Sequence, residues 1–279
     1  MQIKLIADIG SNHNQNFERA KELIKDVAKF GIWGVKFQCF DPDRLYKKSL
    51  KQNNILKKRA LPIACIPELY KYAKEKNVKF GVTPFYKGCV KELENNFDFL
   101  KISSFDVLRA DLINECFDTN KLTMISLGLA ENIDIYKIST MYNNVMAKNR
   151  IQRKKSGGIV LMHCISKYPV KAVESCTNRI KYLNDIYSGW SGIGYSDHSS
   201  NTVVIMSAIM NGAEYIEFHY DRDHEGVEYK YKHCWDWSDT ADLTNLVFNL
   251  SRISSKTFKL TRKELKLRAN PKNGLREHL

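Results

Sequence analysis

The 279-residue sequence contains no run of 18 or more apolar residues, the length that a helix needs to cross a bilayer. Its first ten residues, MQIKLIADIG, also lack the long apolar stretch and the small-residue cleavage site of a secretory signal. Cysteine is present but unpatterned: there are seven, an odd number, and no two form a C-x-x-C pair. This argues against a disulfide framework and against a zinc framework. We therefore expect a cytoplasmic protein with reduced thiols and no membrane segment.

Two glycine signatures of nucleotide binding are also missing. The first β-like run is not followed by G-x-G-x-x-G, and no Walker loop occurs in the chain. Their absence weakens the prediction of a doubly wound open sheet of the dinucleotide-binding type. That sheet is kept as the alternative fold.

The sequence has fewer acidic than basic residues: 31 Asp and Glu and 44 Lys and Arg, which give a net charge of +13. A positive field attracts nucleic acid, but it attracts anionic metabolites equally well. The basic residues are spread over many segments rather than gathered in one. We therefore expect an anionic small molecule as the partner and keep nucleic acid as the alternative.

What the chain does have is an alternation of short β-like runs with amphipathic helical stretches. Each run is rich in β-branched or aromatic residues and ends in a residue suited to a loop. The runs are residues 3–10, 34–40, 78–85, 97–103, 122–128, 158–164, 190–196 and 213–219. The clearest helical stretches are residues 16–31, 66–77, 199–214 and 238–254. This alternation predicts an α/β fold, a (β/α)8 TIM barrel over residues 1–254, followed by a basic tail over residues 255–279.

Two lysines, Lys36 and Lys101, stand inside otherwise apolar strands of the predicted barrel. A buried ammonium group needs an anionic partner, so each lysine marks either a structural salt bridge or a binding site for phosphate or carboxylate. Catalytic groups of such barrels project from the C-terminal ends of the strands. Three serines at those ends, Ser104, Ser126 and Ser196, would add hydroxyl donors of the kind that oxyanions use.

Two histidines, His198 and His219, follow the last two strands. A single histidine at such a place is more often a hydrogen-bonded core residue than a ligand. A pair on adjacent strand ends, with Asp197 and Glu217 beside it, favours a divalent-metal site. Imidazole and oxygen ligands suit Mn²⁺, Fe²⁺, Co²⁺ or Zn²⁺, and the sequence does not choose among them.

Eight motifs in order resemble those of the sialic acid synthases, the family of N-acetylneuraminate, legionaminate and pseudaminate synthases. They are IADIGSNHNQ (against the family's A-E-I-G-x-N-H-N-G), GVKFQCF, TPF, FLKISSFD, ISLGLA, HCISKYP, GYSDH and IEFH. The resemblance covers about residues 3–250.

The resemblance implies an enzyme that condenses phosphoenolpyruvate with the open-chain aldehyde of an N-acylated hexosamine. The product would be a nine-carbon 2-keto acid, with release of phosphate, and the cofactor would be a divalent metal, commonly Mn²⁺ in this family. By position, the resemblance implies catalytic roles for Asp8, Lys36, Lys101 and Asp106, substrate contacts for Asn12, Thr83, Ser104, Ser126, Tyr168, Ser196 and Glu228, and metal ligation by His198 and His219.

The sequence also departs from the family pattern. Asp8 stands where the family usually has Glu, and Gln15 replaces the glycine of N-H-N-G. We expect a compact form without the C-terminal antifreeze-like domain of many members, and a homodimer is possible in such a family. The alternatives kept open are another metal-dependent aldolase-type enzyme on the same barrel and a non-catalytic relative that binds an anionic sugar.

Overall fold

The computed structural model describes residues 3–149, 157–187, 190–253 and 262–269. Eight parallel strands follow one another in chain order, and the first pairs with the eighth to close a barrel. They are β1 (Lys4–Gly10), β2 (Gly34–Cys39), β3 (Lys79–Pro84), β4 (Phe99–Ile102), β5 (Leu122–Ser126), β6 (Ile159–His163), β7 (Gly192–Asp197) and β8 (Tyr215–Tyr220). The predicted (β/α)8 barrel is confirmed, and every strand lies within two residues of its predicted bounds.

Among the described residues, helices lie between successive strands and after the last strand of the barrel. They are α1 (Phe17–Lys29), α2 (Pro42–Leu45), α3 (Lys51–Lys57), α4 (Ile66–Glu75), α5 (Cys89–Glu92), α6 (Ala110–Asp118), α7 (Asn132–Lys148), α8 (Asn178–Ile186), α9 (Thr202–Met210), α10 (Trp237–Ile253) and α11 (Arg262–Ala269). Helix α9 is shorter than predicted because the side chain of Asn201 caps its first turn and the chain leaves it at Gly212, whose φ is +99°. Among the described residues no helix has both the length and the apolar character that a bilayer span requires.

Of the predicted basic tail, residues 255–279, only α11 is described, and residues 255–261 and 270–279 lie outside the described residues. The position of the tail therefore stays a prediction. All seven cysteines are free thiols, as predicted, and six of them are at least partly buried.

The interior of the barrel has an apolar lower layer. Ile6, Phe99, Met124, Val160, Met162 and Tyr215 fill it. The ring of Phe99 occupies the place where Gly81 would carry a side chain, so a larger residue at Gly81 would collide with it. The cavity described below lies on the C-terminal side of this packed floor.

The strand register brings charged side chains together directly above that floor. Asp8 on β1 is the lateral neighbour of Lys36 on one side and of His219 on the other. Because alternate residues of a strand face the same way, Glu217 and His219 both face the barrel interior. After β8 the chain loops back over the barrel mouth, and a short strand β9 (Cys234–Trp235) pairs with β8, with Cys234 opposite His219.

At the opposite end of the barrel, Asp98 ties β3 to the start of β4. Its carboxylate accepts hydrogen bonds from the Phe80 amide at 2.9 Å and from the Lys74 ammonium at 3.0 Å. Partial burial acts to raise the pKa of Asp98, but the Phe80 amide, Lys74 and Lys79 outweigh it and hold the pKa below its usual range.

We expect Asp98→Asn to lower the free energy of unfolding at neutral pH by about 1 kcal/mol, because hydrogen bonds to a charged acceptor are lost. The pKa of this carboxyl is lower in the folded chain than in the unfolded chain. Its stabilisation is therefore present above the unfolded pKa and lost as pH falls through the folded pKa. Urea unfolding of both proteins at neutral and at acid pH should show the difference shrink in acid, and an equal difference at both would contradict the assignment.

Candidate active site

The C-terminal mouth of the barrel holds a cavity of about 390 Å³, called the central cavity below. Most of the side chains that the sequence singled out line it. These are Asp8, Lys36, Thr83, Lys101, Ser104, Ser126, Tyr168, Ser196, His198, His219 and Glu228. Asn12 and Asp106 do not line it. The structure thus brings these predicted residues together in one cavity, and the site assignment stays a prediction.

The two lysines meet at a single buried carboxylate, that of Glu217. The Nζ atom of Lys101 lies 2.7 Å from Glu217 Oε2, and the Nζ atom of Lys36 lies 3.4 Å from Glu217 Oε1. Lys36 also lies 2.9 Å from Asp8 Oδ2 and donates to the Thr83 hydroxyl at 2.8 Å. Both lysines therefore form buried salt bridges, which was one of the two predicted roles. Both also line the central cavity, as the second predicted role, anion binding, requires.

The charges of this group are mutually stabilised. Burial acts to lower the pKa of Lys36, but Asp8 and Glu217 outweigh it and raise the pKa above its usual value. Burial acts to raise the pKa of Glu217, yet Lys101 and Lys36 outweigh it and hold the pKa low. Lys36 is therefore cationic at neutral pH, and an anion entering the cavity meets an ammonium group already held in place by Asp8 and Glu217.

A second group of side chains forms a cluster with the donor set of a metal site. His219, Glu228 and His233 are all buried, and one ligand atom from each lies within 4.8 Å of the others. The pair of His219 Nδ1 and Glu228 Oε2 is 3.0 Å apart. Two imidazoles and a carboxylate are ligands that Mn²⁺, Fe²⁺, Co²⁺ and Zn²⁺ accept, so these residues fit a divalent cation. We call them the His–Glu–His cluster.

The backbone around β1 fixes the carboxylate of this cluster. Glu228 Oε1 accepts from the Ser11 amide at 2.7 Å, and the Glu228 amide donates to Asn12 Oδ1 at 2.9 Å. Gly10 has a φ of +53°, and a Cβ atom there would collide with the Glu228 carboxylate. The glycine thus gives both the left-handed turn and the space for Glu228.

Asn12 does not line the central cavity, and the substrate contact that the resemblance implied for it stays a prediction. Its side chain is fully buried and donates to the Tyr220 carbonyl at 3.0 Å while accepting from Glu228. It therefore joins the end of β8 to the segment that carries Glu228 and lies behind the cavity wall.

His198 lies in the same cavity but is held by the backbone. Its Nδ1 atom is 2.8 Å from the Ile165 carbonyl, an arrangement in which Nδ1–H donates, and its ring centroid is 5.6 Å from that of His219. Burial, followed by the neighbouring His219, lowers the pKa of His198 to about 3. His198 is therefore neutral at physiological pH, and its Nε2 lone pair is available to a cation.

The buried carboxylate of Asp197 links the two segments that bear histidines. It accepts from the indole Nε1 of Trp235 at 3.0 Å and from the hydroxyl of Ser199 at 2.6 Å. Burial raises the pKa of Asp197, while these donors oppose that shift. The contact with Trp235 places β9, and with it His233, against the turn that carries His198.

The family to which the chain belongs follows from its match to a family model. The family model described as the NeuB family matches residues 23–259. The chain belongs to the NeuB family. Named relatives include synthases of legionaminic and pseudaminic acid, so the resemblance to sialic acid synthases is confirmed at the level of the family.

Individual relatives of the NeuB chain are distant. It is 29% identical to an N,N'-diacetyllegionaminic acid synthase of Campylobacter jejuni, over 81% of this chain and 70% of that protein. It is 28% identical to an uncharacterized protein of Methanocaldococcus jannaschii, over 81% of this chain and 64% of that protein. The chain thus spans about two thirds of the length of these curated relatives.

One solved structure matches the whole barrel. It is a crystal structure of an N-acetylneuraminic acid (sialic acid) synthetase from Leptospira borgpetersenii, with a TM-score of 0.84 and 24% identity. The match covers 99% of this chain and 93% of that one. It supports the barrel fold of this NeuB chain.

Sequence reasoning left out several residues that line the cavity. Arg59, Tyr231 and His233 all do so, and Gln38 and Glu217, which the sequence showed only as polar residues of strands two and eight, line it as well. Gln38 donates to Asp8 at 3.2 Å, and Arg59 donates to the Tyr231 hydroxyl at 2.7 Å. His233 stands in a KHCW stretch that carries no strand-length pattern, so only the loop back to β9 reveals its place.

Asp106 belongs to a neighbouring compartment. It ends a short 3₁₀ helix, Ser104–Asp106, and accepts from the Ser103 hydroxyl at 3.0 Å. Burial raises the pKa of Asp106, which Ser103 and Arg109 oppose. The catalytic role that the resemblance implied for it stays a prediction.

Proposed function

We propose that this NeuB chain condenses phosphoenolpyruvate with the open-chain aldehyde of an N-acylated hexosamine. The products are a nine-carbon, sialic-acid-like 2-keto acid and phosphate. One observation supports this above all: the lysine pair on Glu217 and the His–Glu–His cluster line the same cavity. The first suits an anionic substrate, and the second suits a cation that activates a carbonyl.

The anionic substrate binds at the lysine side. Lys101 and Lys36 supply ammonium groups, and the hydroxyls of Ser104, Ser126 and Ser196 line the adjoining wall. Charge-assisted hydrogen bonds from such donors are stronger than neutral ones. The carboxylate and phosphate of phosphoenolpyruvate match this set.

The cation is a divalent metal, and we propose Mn²⁺. His219, Glu228 and His233 would hold it, with the free nitrogen of His198 on the same side of the cavity. When bound, such a metal supplies Lewis-acid polarisation of the aldehyde carbonyl.

Asp8 lies between the two halves of the site. Its Oδ2 atom is 2.9 Å from Lys36 Nζ and 3.7 Å from His219 Nε2. In the reaction, the C2=C3 double bond of phosphoenolpyruvate supplies the electron pair that joins C3 to the aldehyde carbon, the carbonyl π pair moves to the aldehyde oxygen, which takes a proton from solvent, and C2 becomes electron-deficient. We propose that Asp8 orients a water and accepts its proton as the water oxygen bonds to C2, after which the C2–O bond to phosphate breaks.

A phosphate-release assay tests the proposal. The chain is incubated with phosphoenolpyruvate, Mn²⁺ and, one at a time, N-acetylated hexosamines, their phosphates and simple aldose phosphates. We expect release that depends on both the metal and an N-acylated acceptor. Release with aldose phosphates alone would favour another aldolase-type reaction, and no release with any aldehyde would contradict the proposed function.

Lys101→Ala should mainly weaken the binding of phosphoenolpyruvate. We expect its KM to rise on the order of 30-fold or more, because truncating one partner of a buried charge pair is costly, while the KM of the acceptor changes little. Lys79→Ala is the matched control, since Lys79 is also a strand lysine paired with a carboxylate, Asp98, but lies outside the cavity. Steady-state kinetics measures both variants, and equal KM values for phosphoenolpyruvate would remove Lys101 from the site.

We further propose that the protein works in the cytoplasm, where free thiols such as its seven cysteines persist. A homodimer is the assembly that the family suggests. Sedimentation of the full chain measures it directly.

A further inference from the structure

Another cavity, of about 590 Å³, lies between helices α7 and α8 and the ends of strands β5 and β6. It is on the outer side of the barrel. Met162 belongs to the interior layer, and because successive residues of a strand face opposite ways, His163 faces the helices. Among the described residues, no side chain lines both this space and the central cavity. We call this space the outer cavity.

Apolar side chains form most of the walls of the outer cavity. They are Leu127, Ala130, Ile133, Ile135, Tyr182 and Leu183. Ile133 is 53% exposed and Tyr182 is 45% exposed, and the Asn132 amide donates to the Tyr182 hydroxyl at 3.0 Å, which ties α7 to α8. An apolar ligand that covers the exposed walls is favoured by the hydrophobic effect.

A buried imidazole lines the outer cavity with one acceptor unused. His163 is only 3% exposed, and its Nε2 atom lies 2.8 Å from the Ser175 carbonyl, an arrangement in which Nε2–H donates. Burial lowers the pKa of His163, which the Ser175 carbonyl opposes and Arg179 reinforces, so the ring is neutral at physiological pH.

The other ring nitrogen of His163 therefore carries a lone pair. Within the described part of the chain no hydrogen bond uses this Nδ1 atom, and it is not among the polar atoms sealed off from open space. The open space that His163 lines is the outer cavity. A poorly solvated acceptor without a partner is unfavourable, so a ligand that donates an O–H to Nδ1 gains stability.

Two charged side chains also line the outer cavity. Arg179 lies in the first turn of α8, and none of the carboxylates in the described segments pairs with its guanidinium. A guanidinium binds a carboxylate through two parallel hydrogen bonds. The Glu131 carboxylate lies at the start of α7 and accepts from the backbone of the first turn of that helix. Its charge repels a second negative charge on a ligand, so a monoanion is preferred to a phosphate dianion.

We infer that the outer cavity is a second binding site, for a small monocarboxylate that has an apolar body and a hydroxyl group. Arg179 binds the carboxylate, the hydroxyl donates to Nδ1 of His163, and the apolar body covers Ile133 and Tyr182. The site is separate from the cavity in which the proposed condensation takes place. Its ligand therefore binds without displacing phosphoenolpyruvate.

Binding of three related molecules tests this without any turnover. L-3-phenyllactate has all three features, 3-phenylpropionate lacks the hydroxyl, and 3-phenyllactamide lacks the charge. Isothermal titration calorimetry on the full chain should show that phenyllactate binds on the order of 10-fold more tightly than either analogue, because each analogue leaves one buried partner unsatisfied. Added Mn²⁺ and phosphoenolpyruvate should leave this binding unchanged.

Arg179→Met should weaken the binding of phenyllactate on the order of 10-fold or more and remove its advantage over the amide. Lys181→Met is the matched control, because Lys181 is also an exposed cation of α8 but lies outside both cavities, and it should bind phenyllactate normally. His163→Gln, whose amide can still donate to the Ser175 carbonyl, should remove the advantage of phenyllactate over phenylpropionate.

Three results would each overturn the inference. They are no saturable binding of phenyllactate at millimolar concentrations, its displacement by phosphoenolpyruvate, and equal effects of Arg179→Met and Lys181→Met. Displacement by phosphoenolpyruvate would place the carboxylate at the lysines of the central cavity instead. None of these results depends on turnover, so they leave the test of the proposed function separate.

Discussion

Replacing His219 by alanine is expected to lower the affinity for a divalent metal by on the order of 100-fold or more and to abolish metal-dependent turnover. His219 is the central member of the His–Glu–His cluster, with Glu228 at 3.0 Å and the His233 ring centroid at 4.5 Å. Even residues that only support metal ligands change affinity 10- to 100-fold, so loss of a ligand should exceed that. Titration with Mn²⁺, read by calorimetry or by the electron paramagnetic resonance of the free ion, measures the loss.

The control for this variant is His163→Gln. His163 is also a buried histidine at a barrel strand end, but its Nε2 atom is 2.8 Å from the Ser175 carbonyl and it does not line the central cavity. It should bind Mn²⁺ normally. The Mn²⁺ affinities of single alanine variants of His198 and His233 then show how much each of these two histidines contributes to metal binding. Normal metal affinity in His219→Ala, with the fold intact by circular dichroism, would refute the cluster as the metal site.

Replacing Glu217 by glutamine should lower the free energy of unfolding by about 3–5 kcal/mol, because it leaves buried charge without its partner. Glu217 is only 2% exposed and stands between Lys101 at 2.7 Å and Lys36 at 3.4 Å. Glutamine keeps the shape and removes the negative charge. Urea unfolding at neutral pH measures the difference.

An anion should partly restore the stability of this variant. Inorganic phosphate that binds at the two ammonium groups replaces the lost charge, so it should raise the melting temperature of Glu217→Gln more than that of the unchanged chain. Glu214→Gln, on an exposed glutamate just before β8, should change stability by less than about 0.5 kcal/mol. A loss in Glu217→Gln no larger than in this control would show that the lysines do not depend on Glu217.

The fold and the place of the site follow from the sequence because both depend on local patterns. Short β-like runs and periodic helices alternate eight times, which favours a barrel over a doubly wound open sheet, and the strand ends then define one mouth. Lys36 and Lys101 stood out because lysine is rarely buried. Their common partner, Glu217, did not, since pairing across the barrel depends on register that no single strand reveals.

The members of the His–Glu–His cluster were predicted less completely, because they also come together through tertiary structure. His219 was found from its place at a strand end, whereas His233 reaches the site only because the chain after β8 turns back and pairs as β9. The sequence did not reveal that the side-chain amide of Asn12 bonds to the Tyr220 carbonyl and the Glu228 amide, because both partners lie more than 200 residues away along the chain.

The most direct test of the proposed condensation follows the carbon of phosphoenolpyruvate rather than its phosphate. The chain is incubated with Mn²⁺, phosphoenolpyruvate labelled with ¹³C at C3 and N-acylated hexosamines in turn, and the products are separated and examined by mass spectrometry and NMR. The account predicts a nine-carbon 2-keto acid whose labelled carbon is bonded to the former aldehyde carbon. Recovery of all the label in phosphoenolpyruvate or pyruvate, with the metal bound and N-acylated acceptors supplied in turn, would contradict it.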